Sequence, residues 1–411
     1  MAEPVFVLGG AQTDFKRNWA REGLEIFDMF RDTLEQGLAE TKLDAEDIET
    51  AHVGNFTAEL FCNQGHLGGF FAAANPKLAG IPAGRHEGAC ASGSLAMLSA
   101  ASEIEAGRYG LAAVLGIEIM RNVPGDQAAS NIGPAAMWAG HECQDVKYPW
   151  PYIFACVGDE YDKRYGIKRE HLAGIAQINF ANAKRNPNAQ TRAWTLDALN
   201  FAADDEANPV IEGRIRKHDC GQVTDGAAVV FLAGKERASA YAATRGLTLD
   251  DLPRIEGWGH RTNTIAYQPK VDASQGQTYM FPHVRGTIED AFRRAGIGGV
   301  DDLDAIETHD CFTTTEYMAI DHFGITPPGE SWRAVEDGTI AFDGKLPVNP
   351  SGGLIGLGHP VGATGVRMVL DAAKQVTGKA GGYQVEGAKR VATLNIGGSA
   401  TTTISFVVGR N

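Results

Sequence analysis

One cysteine stands where a thiol could act as a nucleophile. The stretch Glu87-Gly88-Ala89-Cys90-Ala91-Ser92-Gly93-Ser94 leaves a strand-like segment and enters a run from Leu95 to Ile104 whose apolar residues recur at helical spacing. A thiol at that junction faces unpaired backbone N–H groups and the positive end of a helix that starts near Ser92 or Ser94, which favours thiolate over thiol. Gly88, Ala89, Ala91 and Gly93 leave room for a carbonyl to come close. A buried structural cysteine in a turn of small residues fits these eight positions equally well.

Three further stretches hold reactive types. Glu307-Thr308-His309-Asp310-Cys311-Phe312 ends a strand in an ionisable cluster. The same tripeptide recurs as His218-Asp219-Cys220, expected to precede a strand, so the tripeptide alone does not choose between the two. The run Asn349 to Gly365 carries His359 on a tight glycine loop at a helix start, where an imidazole can be aimed at a substrate. It is not a dinucleotide loop: after Gly356 and Gly358 the required sixth position is Val361, and Pro360 intrudes. Last, Asn395-Ile396-Gly397-Gly398-Ser399 lies between two terminal strands, and its bare N–H groups could point at a developing oxyanion.

These residues need a scaffold, and the pattern supplies an α/β one. Strands are expected at 5–8, 51–56, 111–117, 225–232, 254–258, 303–307, 392–396 and 401–408. Between them, 24–40 is an amphipathic helix, 63–74 a helix of small residues, and Ile288, Ala291, Phe292 and Ala295 mark another. The second half repeats the element order of the first, which indicates a duplicated unit of about 120 to 150 residues. Residues 121–220 break the pattern. Apart from a helix at 168–185 they read as an irregular excursion rich in Trp, Tyr, Asn and Pro that covers a site.

The chain has 411 residues, enough for two or three domains, with 44% hydrophobic and 21% charged residues. A net charge of −14 argues against nucleic-acid and anionic-membrane partners. No run approaches the roughly 18 apolar residues of a membrane span. The ends, Met1-Ala2-Glu3-Pro4 and Val408-Gly409-Arg410-Asn411, carry no signal peptide or peroxisomal tripeptide, so a cytoplasmic protein is expected. Six cysteines without a Cys-x-x-Cys pair disfavour a zinc ribbon, a redox pair and structural disulfides. Cys62, Cys143, Cys156 and Cys220 are read as small hydrophobes. His52, His66, His86, His141 and His322 are read as structural or surface residues, and Trp138, Trp150, Tyr152 and Trp194 as loop packing.

Together, Gly-x-Cys-x-Ser-Gly, His-Asp-Cys-Phe, the glycine-rich Gly-His-Pro segment and Asn-Ile-Gly-Gly resemble a thiolase over essentially the whole chain. The His-Asp-Cys-Phe form is similar to the sterol-carrier-protein branch. The resemblance implies a duplicated βαβαβαββ fold in five layers, αβαβα. It implies a first half at 1–120 and 221–250, a loop domain at 121–220 that covers coenzyme A, and a second half at 251–411. Cys90 would take up the acyl group, and His359 would accept its proton. His359 and His309 would form an oxyanion hole for the thioester oxygen, and Cys311 would be the second acid/base. The backbone N–H groups of Cys90 and Gly397 would bind the acyl-enzyme oxygen. The sequence departs from many thiolases in carrying Asn395 at the late position where they have the acid/base cysteine, so that thiol has in effect moved to Cys311.

The reaction so implied is reversible Claisen condensation and thiolytic cleavage between acetyl-CoA, acyl-CoA and 3-ketoacyl-CoA. It belongs to lipid metabolism, uses coenzyme A as substrate, and needs no metal or tightly bound cofactor. The residues that bind coenzyme A are not identifiable, and a homodimer or homotetramer is implied. Two alternatives compete: a decarboxylating ketoacyl synthase, which would not need the thiol of Cys311, and a thiolase-like lyase or partner subunit, which would not need both cysteines.

Overall fold

Runs of small and β-branched residues pair into one sheet in the computed structural model, which describes residues 3–410. Met1, Ala2 and Asn411, on which part of the reading of the chain ends rests, lie outside the described residues. The strands in chain order are β1 (Val5–Gln12), β2 (Thr50–Gly54), β3 (Ala83–His86), β4 (Leu111–Glu118), the small hairpin β5 (Val210–Glu212) and β6 (Ile215–Arg216), β7 (Gly226–Ala233), β8 (Arg254–Thr262), β9 (Ala305–Glu307), β10 (Arg390–Gly397) and β11 (Thr402–Gly409). Leaving out the hairpin, their order is β3-β2-β4-β7-β1-β8-β11-β10-β9. Strands β4 and β7 are buried at every position, as expected where helices cover both faces.

The duplication is visible in the pairing. Reading outward from the centre, β1-β7-β4-β2 repeats as β8-β11-β10-β9, each with two antiparallel pairs followed by a parallel one. The parallel partner β3 has its counterpart in the bridge between Ile306 and Val348. The halves meet through a short antiparallel contact, Val5 with Ile255 and Phe6 with Arg254.

Helices fill three layers. In the first half α1 (Ile26–Thr41), α2 (Ala58–Cys62), α3 (Phe70–Ala74) and α4 (Ser92–Glu105) alternate with the strands. The excursion contains α5 (Gly125–Ile132), α6 (Pro149–Tyr165) and α7 (Arg169–Ala183), and α8 (Lys235–Ala243) follows it. The second half carries α9 (Tyr267–Ala273), α10 (Pro282–Ala295), α11 (Thr313–Phe323), α12 (Ser331–Glu336) and α13 (Thr364–Val376). One apolar core packs α1, α3 and α8 on the outer face of the first half-sheet. A second packs α4 and α13 between the half-sheets, and a third covers the second half with α10 and α11. This is the expected five-layered order.

Two local expectations fail. The helix expected over 63–74 is broken, because α2 ends at Asn63 in the left-handed conformation and His66 repeats it at φ 55° before α3 begins. The excursion holds more helix than expected: α6 starts with Pro149 at its first position, where a missing N–H costs nothing. Its aromatic-rich sequence hides the helical period, and it buries Phe154, Val157 and Tyr161 in the core of the second half.

Candidate active site

Cys90 sits in a 3-10 turn, Ala89–Ala91, that feeds directly into α4. Ala89 takes the left-handed conformation at φ 51°, and the Ser92 hydroxyl stitches the turn, donating to Ala89 O at 2.6 Å and accepting from Gly88 N at 3.0 Å. The helix therefore has no side-chain cap of its own. The Ser94 hydroxyl is turned to Asn395 instead. The N–H groups of Cys90 and Gly398 reach the Cys90 sulfur. Gly397 lies so close to the Cys90 turn that a Cβ there would stand 2.0 Å from Gly88 O.

Two imidazoles complete the centre. One ring nitrogen from each of His309 and His359 and the Cys90 sulfur all lie within 4.8 Å of one another. The rings stand edge to face, centroids 5.2 Å apart. In both rings Nε2 has no protein partner, whereas Nδ1 is held. The holders assign opposite tautomers. The Ser94 hydroxyl donates to Asn395 Oδ1 at 2.9 Å, and Asn395 Nδ2 donates to His309 Nδ1 at 3.1 Å, so the proton of His309 is on Nε2. The Thr364 hydroxyl donates to Pro360 O at 3.2 Å and accepts from His359 Nδ1 at 2.7 Å, so Nε2 of His359 carries a lone pair. One ring offers a donor and the other a base.

The loop that carries His359 is anchored on three sides. Thr224 Oγ1 accepts the His359 N–H at 2.9 Å, and α7 and the turn that follows it hold the glycine turn through Asn182 to Asn349 O and Asn186 to Ser351 O, both at 3.0 Å. The third anchor is Glu118, fully buried at the end of β4. Its carboxylate accepts from the N–H groups of Phe56, Thr57 and Gly362, each at 3.0 Å, and from the Asn55 amide at 2.9 Å. A glycine at 365 is required where α13 crosses the Cys90 helix, since a Cβ would come within 2.3 Å of Ser94 N.

Burial governs the protonation states. The Cys90 thiol is pushed up to about 12 by loss of hydration, against the pull of the Gly398 N–H. His359 is pushed down to about 3 by burial and by the charge of Arg367, and His309 is also held well below its usual range by burial and by His359. This runs against the expectation of a resting thiolate: desolvation outweighs the helix terminus and favours a neutral thiol beside neutral imidazoles.

Cys311 is 6% exposed and reaches the same pocket, with its sulfur 3.7 Å from Thr315 Oγ1 and burial raising its thiol well above the usual value. The pocket, about 560 Å³ of empty space, is lined by Cys90, Cys311, His359 and apolar groups including Phe56, Met120, Trp150 and Phe154. Trp150, Phe154 and Phe312 stack in a ladder, with centroids 6.0 and 4.8 Å apart. Trp150 and Phe312 also line an adjoining cleft with Lys217 and Tyr148. The spacing of Cys90, His309 and His359 could also seat a thiophilic divalent cation.

Family models of the thiolase N-terminal domain and of the thiolase C-terminal domain-like region match residues 5–193 and 268–410. The chain belongs to the thiolase family. It is 31% identical to the acetyl-CoA acetyltransferase of Methanothermobacter thermautotrophicus, covering 99% of each chain. It is 27% identical to sterol carrier protein 2 of Rattus norvegicus over 97% of this chain and 71% of that one. Among solved structures, the Ltp2-ChsH2(DUF35) aldolase superposes with a TM-score of 0.78 at 18% identity, covering 99% of this chain and 98% of that one.

Several features escaped the sequence reading. The backbone donor on the Cys90 sulfur is Gly398, one residue beyond the glycine singled out. Trp150, read as loop packing, forms a wall of the pocket, whereas Trp138 is 50% exposed and Trp194 stacks on Phe180. His52 and His86, read as structural or surface residues, contact each other at 2.9 Å. The second His-Asp-Cys does not lead straight into a strand: His218 and Asp219 lie in a 3-10 turn, and Cys220 bridges to Phe312 beside the cleft. Asn395 and Thr364 carry no reactive group, so only their place in the fold reveals that they set the tautomers.

Proposed function

We propose that this chain catalyses thiolase-type acyl transfer through an acyl group on Cys90. In the cleavage direction Cys90 Sγ attacks the 3-keto carbon of a 3-ketoacyl-CoA, and its proton passes to His359 Nε2. The C2–C3 bond then breaks, and its electron pair moves onto the thioester oxygen as an enolate. His309 Nε2–H and the newly protonated His359 Nε2–H donate to that oxygen, so the second donor exists only once the thiol is spent. Cys311 gives its proton to C2, and acetyl-CoA departs. Coenzyme A then attacks the acyl-Cys90 carbonyl, whose oxygen rests on the N–H groups of Cys90 and the Gly397–Gly398 turn; its thiol proton restores Cys311, the acyl–sulfur bond to Cys90 breaks, and the departing Cys90 sulfur takes back the proton held on His359.

The observation that carries this reading is the pair of opposite tautomers within 4.8 Å of one thiol. A high thiol pKa is compatible with it, because the proton has a short path to the unpartnered Nε2 of His359. The second thiol supports proton transfer at C2 over decarboxylation. The aldolase likeness rests on fold alone, and the two cysteines favour acyl transfer over a lyase.

We further propose residues 1–120 with 221–250 and 251–411 as the two halves and 121–220 as the segment that covers coenzyme A, with the acyl-CoA substrates reaching Cys90 past Trp150. A homodimer or homotetramer working in lipid metabolism in the cytoplasm, with no tightly bound cofactor and no nucleic-acid or membrane partner, completes the proposal. No helix among the described residues is long and apolar enough to cross a membrane. The test is coenzyme-A-dependent cleavage of acetoacetyl-CoA and of a longer 3-ketoacyl-CoA by the wild type, Cys90→Ala and Cys311→Ala. Cleavage that vanishes in both variants supports the scheme. A folded wild type that cleaves neither substrate overturns it.

A further inference from the structure

The turn that brings Gly397 and Gly398 against Cys90 is gripped from its far side. Lys270 on α9 is only 2% exposed and makes no ion pair among the described residues. Its Nζ lies 2.8 Å from Ser399 Oγ, 2.9 Å from Thr401 Oγ1, 3.0 Å from Thr264 O and 3.3 Å from Ile265 O. The residue between those hydroxyls is held as well: His283 Nε2 donates to Ala400 O at 2.7 Å, while its Nδ1 accepts from Asn263 Nδ2 at 3.0 Å. Asn263 N closes the set by donating to Thr401 O at 2.8 Å. The charged neighbours are few. Glu142 is the carboxylate that acts on Lys270, and it is engaged by the N–H groups of Tyr267 and Trp138.

The turn needs such a grip. Gly398 and Ala400 both adopt left-handed backbone angles, φ 63° and 61°, and for alanine that conformation is intrinsically disfavoured. Left to itself the segment would relax, and the Gly398 N–H would swing away from the sulfur it now reaches. Four oxygens from two separate segments converge on a single Nζ, which an apolar side chain could not gather. A buried lysine is costly without such convergence.

We infer that Lys270 is a positioning residue for chemistry at Cys90: by tying Ser399 and Thr401 to the 264–265 segment it holds the Gly397–Gly398 turn in the shape that aims a backbone N–H at the reacting sulfur. It touches no substrate and acts through Gly398. The inference rests on Cys90 being the acylated nucleophile, but it makes a claim about the sulfur that can be read without substrate.

The experiment uses the full chain with Lys270→Ala and, as a milder second perturbation, the double variant Ser399→Ala/Thr401→Val. For acyl transfer, Lys270→Ala should lower kcat about 10- to 100-fold, in the range below loss of an oxyanion donor itself, with KM within about threefold. Ethylamine should restore part of kcat in Lys270→Ala. The double variant should lower kcat by about 3- to 10-fold. In parallel, the pH profile of Cys90 alkylation by iodoacetamide should move upward by about one unit in both variants, because the thiolate loses its donor. A double variant with wild-type kcat and an unmoved alkylation profile overturns the inference, even if Lys270→Ala does not fold. So does a loss in Lys270→Ala confined to KM. A wild type without acyl transfer counts against the proposed function instead, and the alkylation profile still decides the role of Lys270.

Discussion

Replacing Thr364 by valine removes one oxygen and little else, which isolates the tautomer of His359 as a variable. That oxygen lies 2.7 Å from His359 Nδ1 in a place where the ring is 9% exposed, so no bulk solvent replaces it. A buried N–H left without a partner costs about 1–3 kcal/mol. The imidazole can avoid that cost by moving its proton to Nε2, but Nε2 is then a donor and cannot accept the Cys90 proton. Either way the reactive form is raised by about 1–3 kcal/mol, so acylation of Cys90 should slow by about 5- to 150-fold. The assay is rapid-quench acylation by acetyl-CoA with mass detection of modified Cys90, in parallel with steady-state KM. Thr364→Ser, which keeps the oxygen, should stay within about threefold of the wild type. An acylation rate in Thr364→Val within threefold of the wild type, or a loss carried wholly by KM, would refute the assignment of His359 as the base.

Three other outcomes are expected. Arg367 is fully buried between Glu307 at 2.9 Å and Asp371 at 3.1 Å, so Arg367→Leu leaves Glu307 unpaired and Asp371 with only Lys374 at 4.0 Å, and should lower unfolding free energy by about 3–5 kcal/mol in a denaturant titration. Lys270 is pushed down to about 7 by burial from an ordinary value of 10.5, so between those pH values the unfolded chain holds one more proton than the folded one. Stability should therefore rise with pH at about 1.4 kcal/mol per unit from this group, and Lys270→Met should flatten that part of the curve. Trp150→Ala opens the wall between the pocket and the cleft, and should raise kcat/KM for a long 3-ketoacyl-CoA relative to acetoacetyl-CoA by about tenfold.

The reactive side chains were legible because each sits at a strand end or in a glycine-rich turn, where sequence types are tightly constrained. Cys90, His309, Cys311 and His359 stand out in the sequence, and the structure brings Cys90, Cys311 and His359 to one pocket with His309 buried within 4.8 Å of Cys90 and His359. The protonation of Cys90 was not legible. It depends on burial under Phe56, Met120 and Val361, which come from three distant segments, whereas the opposing helix-terminus effect is local and visible. The same holds for Asn395 and Ser94, 301 residues apart, whose hydrogen bond sets the tautomer of His309. Helix α6 is hidden because aromatics lie on both its sides: Phe154 and Tyr161 share the buried face towards Phe312 and Tyr317, while Tyr152 and Tyr165 are exposed, which blurs a one-sided apolar stripe. The break at Asn63 and His66 was missed because neither is glycine, so nothing local announced a left-handed turn.

The repeated strand order has an implication for how this chemistry could arise. The turn at Cys90 leads into α4, and the turn after His359 leads into α13, so thiol and imidazole hang near the same kind of helix start in the two copies of the unit, Cys90 two residues ahead of its helix and His359 five ahead of its own. Two separate, identical copies related by a rotation axis would carry the same side chains at corresponding positions, so every group of the site would be present twice. Joining the copies in one polypeptide lifts that constraint, and each position becomes free to change alone. An acid and its base can then confront one another across what would otherwise be a mirror of like groups.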